Sequence, residues 1–217
     1  MPALYSSLGS VKGKRLLDAG CGDGRYSWEL AEKGASVVAV DGAPSFIKIA
    51  RRESRHDNVE FEYADLTRKL RFRSGEFDVV FVNMVLMDLP KIDRAVQEFS
   101  RVLKPRGRLV FSIVHPCFFR FDWKCRGDRK LHKMVDDYLA PRTMTLNSWG
   151  KTLHFHRPLS AYVGALQKSG FSIVGIAEPR PRPAQLNRHP EWEHHTRIPS
   201  FLIVSAIKAA GAGRTPD

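Results

Sequence analysis

The segment Leu16–Gly24, LLDAGCGDG, carries the pattern best suited to chemistry. Glycines at 20, 22 and 24 remove side chains where a backbone must turn sharply and approach a ligand closely. Amides at the start of the helix that follows suit a carboxylate or another electron-rich group. A dinucleotide-binding turn reads G-x-G-x-x-G, whereas Gly20-x-Gly22-x-Gly24 is one residue shorter. Asp41 follows Gly24 by 17 residues and ends a second apolar run. A carboxylate there accepts both hydroxyls of a ribose, in a dinucleotide or in an adenosyl group. Asp65, in Ala64-Asp65-Leu66, comes after a third run; it can accept from an adenine amino group while the Leu66 amide donates to a ring nitrogen.

The second part of the chain offers proton carriers and cations. Seven of the eight histidines lie beyond residue 100. His115 ends a fifth apolar run, and His154 and His156 straddle Phe155, sharing one face if that stretch is extended. His115 and His156 are the leading candidates for a general base; His194 and His195, in a proline-rich loop, read as surface histidines. Cys117–Lys133 interleaves Phe118, Phe119, Phe121 and Trp123 with Arg120, Lys124, Arg126, Arg129 and Lys130. Such interleaving suits stacked bases and phosphates, or a lid whose aromatics cover an organic acceptor, and its place in an insertion favours the lid. Residues 1–100 hold 15 basic and 15 acidic residues, whereas 101–217 hold 20 and 8, so the whole net charge of +12 sits in the second part. That excess is either a solvated basic surface or the mark of an anionic acceptor, with Arg120, Arg157 and Arg197 as the residues expected to hold it. No spacing calls for a metal.

Strands and helices in alternation must position these groups. Apolar runs at Lys14–Ala19, Ser36–Val40, Val59–Tyr63, Phe77–Val82 and Arg108–Val114 read as strands. Helical patterns fill Arg25–Lys33, Pro44–Ser54 and Ile92–Leu103, with Gly34 as a C-cap, Pro44 at a helix start and Lys104–Gly107 as a turn. This is an α/β doubly wound sheet, with its ligand crevice at the carboxyl ends of the strands. Residues 14–114 form the cofactor half and 115–157 an irregular lid insertion. Residues 158–208 form a C-terminal helix and strands (Leu159–Ser169, Phe171–Ala177, Phe201–Ile207), with a proline-rich loop at 178–199 and a tail at 209–217.

Composition narrows the classes further. With 217 residues, 43% of them hydrophobic and 27% charged, the chain has ordinary globular composition and length for one domain. Three cysteines, with no C-x-x-C pair, argue against a disulfide framework or a Cys-rich zinc site. No apolar run reaches the length of a membrane span, and the first ten residues lack the basic and apolar regions of a signal peptide. The expectation is a cytoplasmic protein with no membrane partner; the oligomeric state is left open.

LLDAGCGDG, VVAVDGAP, EYADL, FDVVFVNMVLMDLP and RVLKPRGRLVFSIV, in this order over about residues 14–114, resemble class I S-adenosylmethionine-dependent methyltransferases. The later FHRPLSAYVGALQKSGFSIV resembles the C-terminal part of the small-molecule branch. The resemblance implies a Rossmann-like seven-stranded sheet of order 3-2-1-4-5-7-6 with strand 7 antiparallel, and S-adenosyl-L-methionine as cofactor. It places Gly20, Cys21 and Gly22 at the methionine, with Asp18 either orienting the loop or reaching the methionine amino group through water. It places Asp41 and Gly42 at the ribose, Asp65 and Leu66 at the adenine, and Asn83 and Met84 beside the methionine and adenosine. Cys21 fits the family's glycine loop rather than a nucleophile. The chain departs from the family by having only about a dozen residues before the first strand, so either Tyr5 and its neighbours cover the cofactor loosely or the 115–157 insertion does that work. The implied activity is methyl transfer to oxygen or nitrogen of a small, anionic acceptor. An RNA or protein methyltransferase, and a non-catalytic adenosyl-binding module, are the alternatives.

Overall fold

The computed structural model describes residues 2–54, 56–119, 121–147 and 152–210. Five parallel strands make the first part of the sheet: β1 (Arg15–Ala19), β2 (Ser36–Asp41), β3 (Val59–Tyr63), β4 (Phe77–Asn83) and β5 (Leu103–Val114). Helices α1 (Pro2–Leu8), α2 (Arg25–Glu32), α3 (Pro44–Glu53) and α4 (Asp93–Val102) precede or connect them. After an insertion come α5 (Leu159–Lys168), β10 (Phe171–Ala177), α6 (Pro183–Arg188) and β11 (Phe201–Lys208). The sheet order is β3-β2-β1-β4-β5-β11-β10, with β11 antiparallel to both neighbours. The seven-strand order expected from the resemblance is therefore present, with β10 and β11 as strands 6 and 7.

Successive side chains of a strand point to opposite faces, so strands covered on both sides read as continuous apolar runs. Leu16, Val37, Phe81, Val110 and Ile203 face Leu4, Leu8, Leu30 and Ile47 of α1–α3. Leu17, Val38, Val80, Phe111 and Leu202 face Phe99 of α4 and Tyr162 and Leu166 of α5. Phe77, Phe81, Phe99 and Phe111 are fully buried, each contributing about 1.5–3 kcal/mol of transfer free energy. This two-sided core fixes the strand ends that carry Ala19, Asp41 and Asn83 side by side. The few residues before β1 form α1, whose Tyr5 hydroxyl donates to Glu29 on α2 and whose Ser7 carbonyl accepts from Ser205 on β11.

Three segments differ from the sequence expectation. The turn 104–107 is present, but it protrudes from a continuous β5: Phe77 pairs Leu103, Val79 pairs Arg108, and Lys104 is anchored 2.7 Å from Asp78. The irregular insertion is two antiparallel hairpins. One pairs β6 (Asp122–Arg126) with β7 (Arg129–Met134), and the other pairs β8 (Arg142–Leu146) with β9 (Thr152–His156). Most of their residues are exposed or half-buried, so no apolar alternation announces them. The loop 178–199 contains α6 and a 3-10 segment at Pro190–Thr196, each beginning with a proline, because the first turn needs no N–H there. Among the described residues no helix is long and apolar enough to cross a membrane.

Candidate active site

The crevice lies where β1, β2 and β4 end. Gly20 has φ +89°, and a Cβ on it would sit 2.3 Å from Val85 Cγ2, so only glycine packs against the turn after β4. At Gly22, φ +56°, a Cβ would meet nothing within 4 Å; this side of the loop is open. The Gly20 and Cys21 amides both donate to the Val40 carbonyl, at 2.7 and 3.0 Å, and Gly24 N donates to Cys21 O. The sequence expectation put a ligand's carboxylate or another electron-rich group at these amides; in the structure the Gly22 amide donates instead to the protein's own Asp41 (2.9 Å, to Oδ2).

Asp41 is half-buried, and its other oxygen accepts from Ala43 N at 2.8 Å. An ionised carboxylate has about four lone-pair sites, so each Asp41 oxygen keeps one for a further donor. That arrangement fits a pair of vicinal hydroxyls. Asp65 is more heavily engaged: Oδ1 accepts from Thr67 N and Oγ1, and Oδ2 pairs with Arg68 at 3.2 Å. These bonds hold its carboxyl below the usual range. Leu66 buries its side chain in the core, and Gly42 is exposed beside Asp41.

Asp18 is buried on β1 and accepts from Ser27 Oγ at 2.6 Å. Burial, with the nearby Asp41 charge adding to it, pushes its carboxyl up to about 7. Burial first, then Asp18 and Asp41, also raises the Cys21 thiol, which keeps the sulfur protonated and unsuited to nucleophilic attack. Asn83 ends β4 and accepts from Ser112 Oγ at 2.6 Å, while Tyr26 faces it from α2. Met84, with φ +60°, turns the chain sharply at the crevice, and its amide donates to Ser112 O.

Beyond β5, histidines and aromatic rings pair off. His115 is 4% exposed, stacks on Phe118 at 4.7 Å, and lies between the Cys117 amide (3.3 Å, to Nδ1) and Glu178 Oε1 (2.8 Å, to Nε2). Nδ1 accepts from that amide, so Nε2 carries the proton and donates to Glu178. Both nitrogens are engaged, which makes His115 a positioning group in this arrangement rather than a base. His154 packs on Phe119, and His156 on Phe121 and Tyr138; His156 Nε2 donates to the Tyr138 carbonyl at 2.8 Å. His154 and His156 are both buried on one face of β9, as the spacing predicts.

The arginines do other work than expected. Arg157 donates to the carbonyls of Leu86, Leu89 and Phe155, clamping β9 to the turn after β4. Arg197 donates to the Leu131 and Lys130 carbonyls and pairs with Glu193 at 3.3 Å. Both guanidiniums are thus bonded to the protein's own carbonyls, and Arg120 lies outside the described residues. A cavity of about 250 Å³ opens instead beside Val114 at the end of β5. Phe118, Phe119, Trp123 and Phe201 wall it, with Lys133 and His195 as its ionisable groups. The sequence singled out neither side chain as a ligand group. Lys133 ends a run of many cations, and His195 gains its place only when residues 195–201 fold against the insertion. Among the described residues no cluster of His, Cys, Asp and Glu could hold a metal.

The family described as a methyltransferase domain matches residues 17–111. Over 202 residues, 82% of each chain, the sequence is 33% identical to the demethylmenaquinone methyltransferase of Clavibacter sepedonicus. It is 34% identical over 110 residues to a ubiquinone biosynthesis O-methyltransferase of Xanthomonas oryzae pv. oryzae, covering 48% of this chain and 45% of that one. A crystal structure of an S-adenosylmethionine-dependent methyltransferase from Mesorhizobium loti superimposes with a TM-score of 0.86 at 30% identity, covering 95% of this chain and 96% of that one.

Proposed function

Since the chain belongs to the class I S-adenosylmethionine-dependent methyltransferase family, we propose that it methylates an oxygen or nitrogen atom of a small, anionic organic acceptor. S-adenosyl-L-methionine is its cofactor, supplying an electrophilic methyl group on a sulfonium centre. The observation that carries the residue assignment is Asp41, pinned by Gly22 and Ala43 with one lone pair left on each oxygen. In this reading Asp41 takes the ribose, with Gly42 leaving room beside it. Gly20, Cys21 and the open side of Gly22 meet the methionine through carbonyl and Cα surface. Asp18 and Ser27 stiffen the loop from below. The lone-pair site left on Asp65 Oδ2, with the Leu66 amide, receives the adenine. Asn83 and Met84 border the transferring methyl.

The residues 115–157 close the acceptor side, excluding water and aligning the attacking atom. An anionic oxygen is already a nucleophile and needs no base, which agrees with both ring nitrogens of His115 being engaged in hydrogen bonds. The excess of cations beyond residue 100 favours the approach of such an acceptor.

Incubating the protein with methyl-labelled cofactor and fractionated small-molecule and RNA extracts tests this reading. Label in an acidic small-molecule fraction is expected. Label in RNA or protein transfers the reading to a macromolecular acceptor. Binding of S-adenosylhomocysteine with no labelled product in any fraction leaves an adenosyl-binding module.

A further inference from the structure

We propose that the cavity at the end of β5 binds a single-ring aromatic carboxylate, its ring against Phe118, Phe119, Trp123 and Phe201 and its anion met by Lys133 and His195. This names the acceptor class for the reaction above and, in that role, rests on the methyltransferase reading.

Size decides first. A dry apolar cavity of about 150 Å³ accepts benzene, so about 250 Å³ accommodates one ring with a few substituents. Wall chemistry decides next. Four aromatic side chains favour a flat ring, which gains edge and stacking contacts that a puckered ring of equal volume loses.

Charge decides the substituent. Lys133 Nζ donates to the Phe121 carbonyl and lies 4.8 Å from the Trp123 ring centre, which leaves two N–H groups for an anion. His195 Nδ1 is 2.7 Å from Ser200 Oγ, so Nε2 is the nitrogen left for a ligand. Behind them Lys130 Nζ is 3.2 Å from His194 Nε2, and the His194 and His195 rings are 3.8 Å apart. Of the acids nearby, Glu193 is paired with Arg197, and Asp122 faces Lys133 from β6. The cluster is thus cationic beyond what its own acids balance. Burial, followed by His194, Lys130 and Lys133, holds the His195 imidazole down to about 4; an anion in the cavity opposes that effect.

The test titrates the full chain, with S-adenosylhomocysteine present and absent, with benzoate, benzamide and cyclohexanecarboxylate, read by tryptophan fluorescence and by ligand NMR. Benzoate is expected to bind about tenfold tighter than either analogue, the difference of a charge-assisted contact or of a stacked ring. Trp123→Phe should remove the fluorescence response while NMR still detects binding. Lys133→Gln should abolish the preference for benzoate over benzamide, and Lys133→Arg, which keeps the charge and the donor to Phe121, should retain it. No benzoate binding, equal binding of benzoate and benzamide, or a preference that persists in a folded Lys133→Gln variant overturns the proposal. Benzoate binding without methyl transfer from any extract fails the methyltransferase reading alone, whereas cofactor turnover without benzoate binding fails this one alone.

Discussion

In the crevice, Asp41 reaches Gly22 and Ala43, and Asp65 reaches Thr67, over 19, 2 and 2 residues of chain. In the acceptor region, His115 reaches Glu178, Lys130 reaches His194, and Arg157 reaches Leu86, over 63, 64 and 71. The first region is assembled by short loops at the ends of neighbouring strands, so its polar groups are oriented once β1 and β2 pair. The second exists only when distant segments meet. A change in the crevice should therefore act on one function at its own site, and a change in the acceptor region should act on the docking of whole segments.

The largest effect probes the cost of burying a carboxyl beneath the crevice. Asp18 has a folded-state affinity for protons raised to about 7 against an ordinary 3.8. The folded state therefore binds more protons than the unfolded state between those values, and the wild type loses stability as pH rises from about 4 to about 7. Asp18→Asn keeps an acceptor for Ser27 and removes this loss. It should gain up to about 4 kcal/mol over wild type at pH 8 and little at pH 4, as measured by urea melts at both pH values. A gain independent of pH would show that the buried carboxyl is not the cause.

Next comes Gly20→Ala, whose Cβ must displace Val85 at a left-handed backbone position. It should lose about 3 kcal/mol of stability. Gly22→Ala, with open space around it, should lose only about 1 kcal/mol from its backbone conformation while weakening S-adenosylhomocysteine binding. Equal melting temperatures for the two variants would erase the distinction between the packed and the open side of the loop. Asp41→Ala removes two ribose bonds and should weaken S-adenosylhomocysteine by about 2–3 kcal/mol in calorimetry, at about 1–1.5 each. NAD is not expected to bind either protein; binding of NAD, or unchanged affinity in the variant, counts against the ribose assignment.

Smaller effects sharpen the acceptor side. His115→Ala unfastens the 115–119 turn from Glu178 and should lower turnover about tenfold with the affinity for S-adenosylhomocysteine unchanged; an unchanged turnover would reduce His115 to a turn residue. Arg197→Ala loses carbonyl contacts and an exposed ion pair. It should cost under about 1 kcal/mol of stability and leave acceptor KM as in wild type. A large KM increase would restore Arg197 as a substrate ligand.

The same difference in contact distance explains what could be read from the sequence. The five parallel strands, the helices between them and the Gly20-Gly22-Asp41 spacing were legible because periodicity and turn residues report on bonds made nearby. The sheet order and antiparallel final strand came from the family resemblance. Arg157 and Arg197 looked like ligand groups, because charge alone does not reveal that a guanidinium will find backbone carbonyls some seventy residues away. His195 looked superficial for a related reason: beside the nearby Ser200, the cations around it, Lys130 and Lys133, come from β7, far earlier in the chain. Apart from the His154–His156 alternation on β9, the hairpins β6–β7 and β8–β9 were illegible because half-exposed strands with mixed faces carry no period-two signal.

The placement of β11 bears on how the chain is made. It follows every other strand in sequence yet lies inside the sheet, between β5 and β10. While residues 201–208 are still being synthesised, β5 offers the bare edge of LVFSIV, an uncharged, β-branched and aromatic stretch, to any neighbouring chain. The same delay leaves Ser205 absent from its seat on α1, so the first helix docks fully only after the last strand has emerged. Nascent chains of this protein therefore pass through an interval in which an open strand must be shielded, and slowing translation near codon 200 should increase aggregation more than slowing it near codon 90.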